Sequence, residues 1–359
     1  MDRTEKFMKK MTEIEGISGF ERQVADLIRS ELKDTCEYEW DNLGSLICKH
    51  RGTSDEPRIM MAGHMDEIGF VVQQVTDEGF VKFLPVGGWW PGNILAQKVA
   101  LSTRKGRVLG VIGSPPIHDM DKEKQATMPK LNELLIDVGQ SVGYDVKKKL
   151  GIRPGDPITP ITEFEIMSNK KMYMAKAWDN RVGVLIMAET MRRLAAMEHP
   201  NTAFGVGTVQ EEVGLKGAKT AAAVCRPDVA FALDVCTSKD TTSETKGRPE
   251  KMGNGVGIMV FDNSLIPNVS LRDFMIDLAE RHKIKHFLGI LDHGGTDGGR
   301  INLSGTGVPS IYIAVASRYI HSHVSLVHRD DFDAAVELMV QAHMALDKKT
   351  VASFTSHRL

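Results

Sequence analysis

The segment RIMMAGH, at residues 58–64, gives the clearest indication of the fold. Its apolar run stops abruptly at Gly63 and His64, as a buried strand does. Comparable apolar runs follow further along the chain, at residues 204–209 (FGVGTV), 229–233 (VAFAL) and 310–315 (SIYIAV). Continuous apolar runs of this length predict strands that are covered on both faces.

Helical patterns separate these strands. After Trp178, helices are predicted from about Asn180, from about Leu215 and after Asp331. The alternation of strands and helices predicts an α/β protein with a mainly parallel sheet. Nearer the N-terminus, residues 18–21 (SGFE) have the S-x-x-E form of a capping box, so they are predicted to start a helix.

The pattern changes between residues 70 and 164. Short β-type runs, such as 79–84 (GFVKFL), alternate there with glycine and proline turns, such as 86–91 (VGGWWP). This texture predicts a β-rich domain of residues 70–164, inserted into a larger domain. Residues 1–69 and 165–359 then form the larger, catalytic α/β domain.

Composition excludes several classes of protein. The formal net charge is −2 with both signs interspersed, which argues against nucleic-acid binding. No apolar run approaches the ~20 residues of a membrane span, and the N-terminus lacks the apolar core of a signal peptide. The four cysteines form no C-x-x-C pair. A cytoplasmic protein with reduced thiols is therefore expected.

Side chains that bind metals occur at predicted strand ends, in the loops behind them and before one helix. They are His64, Asp66, Asp179, Glu211, Glu212, Asp234 and His321. Because ligands of open α/β sheets bind outside the carboxyl ends of the strands, these side chains are expected to converge. Converging carboxylates repel one another, and divalent cations remove that penalty.

A balance of charge favours two ions. Two divalent cations are neutralised by the carboxylates of Asp179, Glu212 and Asp234 together with one bridging hydroxide, and a neutral centre tolerates burial. Two ions about 3.5–4 Å apart acidify a shared water, and a carboxylate that binds no metal must take its proton. Glu211 and Glu212 suit this division, although spacing leaves open which is the base. Asp66 is placed to hold His64 in the correct tautomer.

Six segments, taken in order, resemble the glutamyl-aminopeptidase and deblocking-aminopeptidase family of dinuclear metallopeptidases, the tetrahedral aminopeptidases. They are residues 63–69 (GHMDEIG), 177–181 (AWDNR), 209–214 (VQEEVG), 232–234 (ALD), 294–297 (GGTD) and 318–323 (RYIHSH). The ordered match extends over nearly the whole chain. The resemblance implies a metallopeptidase-type α/β/α sandwich with an inserted small β-barrel-like domain.

The resemblance also implies a role for each site residue. One metal is expected on His64 and Asp234, the other on Glu212 and His321, with Asp179 bridging them. Glu211 matches the general base, and Asp66 matches the residue that orients His64. Two divalent metal ions per subunit, zinc or cobalt, are implied as cofactors.

The activity implied is that of a co-catalytic two-metal aminopeptidase. A water bridging the metals and activated by Glu211 would remove N-terminal residues from short peptides. Neither nucleic acid nor membrane is an expected partner. The resemblance further implies a homo-oligomer, specifically a tetrahedral dodecamer in the cytoplasm.

Some alternatives remain at this stage. A related metallohydrolase, either a deacylase or a carboxypeptidase, would use a similar site. The pair Trp89 and Trp90 could serve a glycan-binding or endoglucanase-like protein, or could pack the β domain as part of a turn. An extended segment would place His323 on the same face as His321, and the resemblance favours His321. Asp297 is expected either to line the substrate pocket or to stabilise its loop.

Overall fold

The computed structural model describes residues 1–241 and 247–355. Residues 242–246 and 356–359 of the predicted catalytic domain lie outside this part. The strands are β1 (Glu37–Trp40), β2 (Leu46–Arg51), β3 (Arg58–His64), β4 (Gly69–Val75), β5 (Val81–Val86), β6 (Lys98–Thr103), β7 (Gly106–Ile112), β8 (Ile136–Asp137), β9 (Pro157–Pro160), β10 (Glu165–Ile166), β11 (Met172–Ala175), β12 (Thr202–Thr208), β13 (Val229–Thr237), β14 (Val256–Asp262), β15 (His286–Leu291), β16 (Ser310–Arg318) and β17 (Ser325–His328).

The α-helices of the described residues are both long and short. They are α1 (Arg3–Glu13), α2 (Arg22–Glu31), α3 (Lys122–Gln125), α4 (Val146–Leu150), α5 (Trp178–Leu194), α6 (Lys216–Cys225), α7 (Val269–Arg281), α8 (Gly298–Ile301), α9 (Arg329–Ala345) and α10 (Lys348–Phe354). Short 3-10 helices occupy Pro91–Asn93, Ile117–Asp119 and Leu131–Glu133. No helix within the described residues is both long and apolar enough to cross a membrane.

The larger sheet has a parallel centre and antiparallel flanks. Its order is β1-β2-β12-β3-β13-β16-β17-β11-β10, with β14 and β15 on a branch from β16. Strands β12, β3, β13 and β16 run parallel to one another. Strands β1, β2, β17, β11 and β10 pair antiparallel, as does β14 with β16. The prediction of a mainly parallel sheet is therefore right for the four central strands and for the parallel pair β14 and β15, and wrong for the other strands of the sheet.

Helices cover both faces of this sheet. Along β3, Ile59 and Met61 pack into the core that contains α5, and Met60 packs into the core that contains α6. Each such buried side chain contributes about 1.5–3 kcal/mol. Helix α5 lies so close to β13 that a Cβ on Gly183 would stand 2.2 Å from the carbonyl oxygen of Leu233. The predicted α/β/α sandwich is confirmed.

A closed barrel is inserted between β3 and β10. Its strands follow the order β4-β5-β8-β7-β6-β9 around the barrel. Trp89 stacks on the core residue Phe70 with ring centroids 4.7 Å apart, as expected of a packing residue. Trp90 is 61% exposed, so the same expectation is wrong for it. The barrel-like insertion is confirmed, and its strands extend from Gly69 to Pro160. The domain division at 69/70 and 164/165 stays a prediction.

The capping-box prediction for residues 18–21 is wrong. Helix α2 begins at Arg22, and no side chain caps its N-terminus. The Ser18 hydroxyl instead donates to Asp66 Oδ2 at 2.6 Å, and Glu21 Oε1 accepts the N–H of Gln210 at 3.0 Å. The two side chains that would cap a helix locally are thus bound by residues far along the chain.

Candidate metal centre

Most of the predicted site residues stand where central elements end or begin. His64 is the last residue of β3, and Glu211 and Glu212 follow the end of β12 at Thr208. Asp179 lies in the first turn of α5, where its backbone is not helical (φ −83°, ψ 104°).

Asp234 differs from its expected surroundings, whereas His321 lies in a loop behind a strand, as predicted. Asp234 lies inside β13 rather than beyond its end, because β13 stays paired with β16 as far as Thr237. His321 lies in the loop between β16 and β17 and adopts a left-handed conformation with φ 55°.

Asp179 lies between the two histidines. Its Oδ1 is 3.2 Å from Nε2 of His64, and its Oδ2 is 3.4 Å from Nε2 of His321. Asp234 Oδ2 lies 3.9 Å from the same His64 nitrogen, and Glu212 Oε2 lies 3.6 Å from the same His321 nitrogen. The sequence-predicted ligands therefore converge, with Asp179 at the centre.

Three groups of these residues have ligand atoms within 4.8 Å of one another. Two of them share Asp179, one completed by His64 and Asp234 and the other by Glu212 and His321. A third group combines His64, Glu211 and Glu212. The distances alone therefore allow Glu211 to be either a ligand or a neighbouring base.

Three carboxylates of the cluster have raised pKa values. Burial, reinforced by nearby carboxylates, raises the pKa of Glu211 and of Asp234 well above the usual range. Burial and the charge of Asp179 raise the pKa of Glu212 to about 8. For Asp179, hydrogen bonds from both histidines outweigh the effect of burial and lower the pKa.

The histidines respond in the opposite sense. Burial disfavours the charged imidazole of His64, but the Glu211 and Asp179 carboxylates outweigh burial and raise its pKa well above the usual range. For His321, the hydrogen bond to Asp179 likewise outweighs burial and raises the pKa to about 10. The carboxylates of the cluster are therefore stabilised by nearby positive charge, which either protons or bound cations supply.

Asp66 organises the backbone behind the site. Its Oδ1 accepts the N–H of Glu211 at 3.1 Å, and its Oδ2 accepts that of Glu212 at 3.1 Å together with the Ser18 hydroxyl. Nδ1–H of His64 donates to the backbone carbonyl of Asp66 at 3.0 Å, while Oδ1 of Asp66 lies 3.5 Å away. This hydrogen bond leaves Nε2 of His64 facing the cluster.

The barrel supplies the corresponding support for His321. Nδ1–H of His321 donates to the Gly88 carbonyl at 2.8 Å, and the Asn93 amide donates to the His321 carbonyl at 3.0 Å. The sequence did not predict the contacts of Gly88 and Asn93, or the role of Ser18. No local pattern marks the first two, because their partner lies more than two hundred residues away along the chain.

Two further candidates lie outside the cluster. The ring of His323 is buried 5.4 Å from that of Trp89, and burial lowers its pKa to about 4. Asp297 accepts a hydrogen bond from the Thr208 hydroxyl and does not line the adjacent pocket. The hydrogen bond from Thr208 favours its loop-stabilising alternative.

An open pocket of about 320 Å³ lies over the cluster. Beside the histidines and carboxylates, apolar side chains line it: Leu215, Val235, Leu291 and Ile320. Glu212 Oε1 is buried and has no hydrogen-bond partner within the described residues, as a ligand atom awaiting a cation would be. Imidazole nitrogens and carboxylate oxygens are donors that first-row divalent metals accept, so these residues fit such an ion.

A central parallel sheet with histidines and carboxylates gathered at its strand ends is typical of metal-dependent hydrolases. Comparison with known proteins narrows this class. The family of M42 glutamyl aminopeptidases matches residues 44–338. The glutamyl aminopeptidase of Lactococcus lactis is 35% identical over 354 residues, which cover 98% of this chain and 98% of the relative.

Solved structures agree with this match. A TET aminopeptidase from a marine sediment Thaumarchaeota archaeon is 39% identical, has a TM-score of 0.94, and is matched over 99% of this chain and 100% of its own. The Pyrococcus horikoshii TET1 peptidase, which can assemble into a tetrahedron or a large octahedral shell, is 32% identical with a TM-score of 0.86, over 96% and 100% of the two chains. The chain belongs to the M42 glutamyl aminopeptidase family of metallopeptidases and is an aminopeptidase.

Proposed function

We propose that this aminopeptidase binds two divalent ions, zinc or cobalt, and releases N-terminal residues from short peptides. The observation that carries the proposal is the position of Asp179, with one carboxylate oxygen toward His64 and the other toward His321. Asp179 would bridge the ions, with His64 and Asp234 on one side and Glu212 and His321 on the other. When bound, two such ions polarise a carbonyl, acidify a water and bind a free amine.

Glu211 is the general base in this proposal. Its Oε2 lies 3.7 Å from Nε2 of His64, at the pocket over the cluster. Because burial raises its pKa, the carboxylate can take a proton from water and then deliver it to the leaving amine. Asp66 acts behind it, by holding the amides of Glu211 and Glu212 and by orienting His64.

The lining of the pocket supports the proposal that the substrates are peptides with a free N-terminus. Its polar end carries the ligands, and its apolar side chains can receive the first residue of a peptide. We place the enzyme in the cytoplasm, where the free thiols of its four cysteines would stay reduced. Cell fractionation tests that location. By similarity to the TET1 peptidase we also propose assembly into a tetrahedral dodecamer.

Metal removal and reloading test the activity. The protein is stripped with a chelator, reloaded with zinc, cobalt or manganese, and assayed on residue p-nitroanilides and on their N-acetylated counterparts. We expect no hydrolysis after stripping, recovery after reloading, and cleavage only of substrates with a free amine. Release of acetate from the N-acetylated set, without release of p-nitroaniline from the free-amine set, would instead identify a deacylase.

A further inference from the structure

The loop that carries Glu211 and Glu212 connects β12 to α6, and its carbonyl groups are satisfied from within. Each carbonyl at the start of the loop accepts an amide from its end. The bonds are Gly217 N to Val209 O, Lys216 N to Gln210 O, and Gly214 N and Leu215 N to Glu211 O. The carbonyl groups of residues 209–211 thus find their hydrogen-bond donors at the other end of the same loop.

The amides at the start of the loop donate to groups outside it. Three successive amides point to two carboxylates that lie far away in the chain. Gln210 N–H donates to Glu21 Oε1 at 3.0 Å, while Glu211 and Glu212 donate to the two oxygens of Asp66 at 3.1 Å each. Because a backbone N–H that loses its partner away from water is destabilising, these bonds hold the loop in one position.

Glu21 is suited to hold its end of the loop. The residue is only 5% exposed, and the same Oε1 that binds Gln210 also accepts the N–H of Gly19 at 2.7 Å. Gln210 adopts φ 57°, a left-handed conformation that is unfavourable for a residue other than glycine. The Glu21 bond therefore supports a residue in a left-handed conformation, directly before Glu211.

We propose that Glu21 is a positioning residue, which together with Asp66 clamps the amides of residues 210–212 and so fixes the side chains of Glu211 and Glu212. Glu21 touches neither the cluster nor the pocket; it acts through the backbone of Gln210. This inference rests on the proposed function of Glu211 and Glu212 and deepens it.

The test is a pair of variants. Glu21→Ala removes the acceptor, and we expect kcat to fall about 10–100-fold while KM changes little, with a similar loss of affinity for one of the two ions. Glu21→Gln keeps the single oxygen that receives both amides, so it should restore most of the activity. The readouts are steady-state kinetics on a residue p-nitroanilide and titration of the stripped protein with zinc.

A matched control separates positioning from general stability. Asp331 is buried and likewise accepts two backbone amides, those of Gly253 and Gly255, but it does not contact the loop. Asp331→Ala should lower the melting temperature without the selective loss of kcat and of zinc affinity. If Glu21→Ala behaves like Asp331→Ala, or keeps the kcat and zinc affinity of the parent, the inference is wrong.

A variant that does not fold and a parent protein without activity give different results. If Glu21→Ala does not fold, Glu21→Asp takes its place, because its shorter side chain withdraws the oxygen from Gln210; an unchanged kcat there overturns the inference. If the parent protein reloaded with zinc cleaves no free-amine substrate, the proposed function fails. Zinc titration of the variants still tests the clamp in that case.

Discussion

At the residue scale, the two carboxylate oxygens of Asp179 face different partners. A carboxylate can share its charge between two cations, and the separation of Oδ1 and Oδ2 toward His64 and His321 suits that use. Asp234 Oδ2 lies 3.9 Å from Nε2 of His64, and Glu212 Oε2 lies 3.6 Å from Nε2 of His321. The cluster therefore divides into two halves that meet at Asp179.

The proposed role of Glu211 as general base can be tested by a single substitution. We predict that Glu211→Gln lowers kcat by about 10²–10⁴-fold, because an amide of nearly the same shape cannot take a proton. Zinc content, measured by elemental analysis, should remain that of the parent protein. The exposed residue Glu198 offers a matched control, and Glu198→Gln should leave both quantities unchanged.

Two results would contradict this assignment. Retained hydrolysis in Glu211→Gln would show that another group is the base. Loss of one zinc ion would instead make Glu211 a ligand, as the group of His64, Glu211 and Glu212 allows.

At the scale of elements, the barrel and the sheet meet at the site. The segment between β5 and β6 contains Gly88 and Asn93, which bind the side chain and the backbone of His321. Since Nδ1–H of His321 donates a hydrogen bond to the Gly88 carbonyl, Nε2 is left to face Asp179 and Glu212. The barrel is therefore a structural part of the site as well as an insertion.

This contact predicts a selective effect on metal binding. Asn93→Ala removes the amide that holds the left-handed His321, so affinity at the Glu212–His321 half should fall about 10–100-fold while the His64–Asp234 half is unaffected. Calorimetric titration of the stripped protein with zinc resolves the two steps.

The control for this prediction is a similar amide elsewhere. Asn302 donates to the Val308 carbonyl at 2.9 Å, and Asn302→Ala should leave both zinc affinities as they are. Two unchanged binding steps in Asn93→Ala would contradict the proposed support of His321 by the barrel.

At the scale of the whole molecule, strand β15 forms one of the open edges of the large sheet. Strand β15 pairs only with β14 in the described structure, and its Leu288 and Ile290 side chains are 44% and 46% exposed. An unpaired edge with apolar side chains favours association, and a closed assembly protects such edges from aggregation.

The proposed dodecamer predicts the mass in solution. Light scattering on a size-exclusion column should give about twelve times the chain mass of 39.7 kDa, and the value should hold after tenfold dilution. A monomer or dimer at every concentration would exclude the tetrahedral assembly.

Much of the architecture could be predicted from local sequence. The runs at 58–64 and 229–233 became β3 and β13, and the apolar texture around them marked a sheet covered on both faces. The antiparallel flanks were not predicted, because strand direction depends on which neighbour a strand meets. No element was assigned over 256–291, where β14, α7 and β15 lie.

The histidines and carboxylates at predicted strand ends were enough to indicate the chemistry, because their order resembles one family of metallopeptidases. Which of their atoms face one another is a property of the tertiary structure. It placed Asp179 between two histidines, took Ser18 and Glu21 away from their expected helix cap, and brought Asn93 to His321. The physical reason is that periodicity and capping are local properties, whereas these hydrogen bonds join residues that only the packing of sheet and barrel brings together.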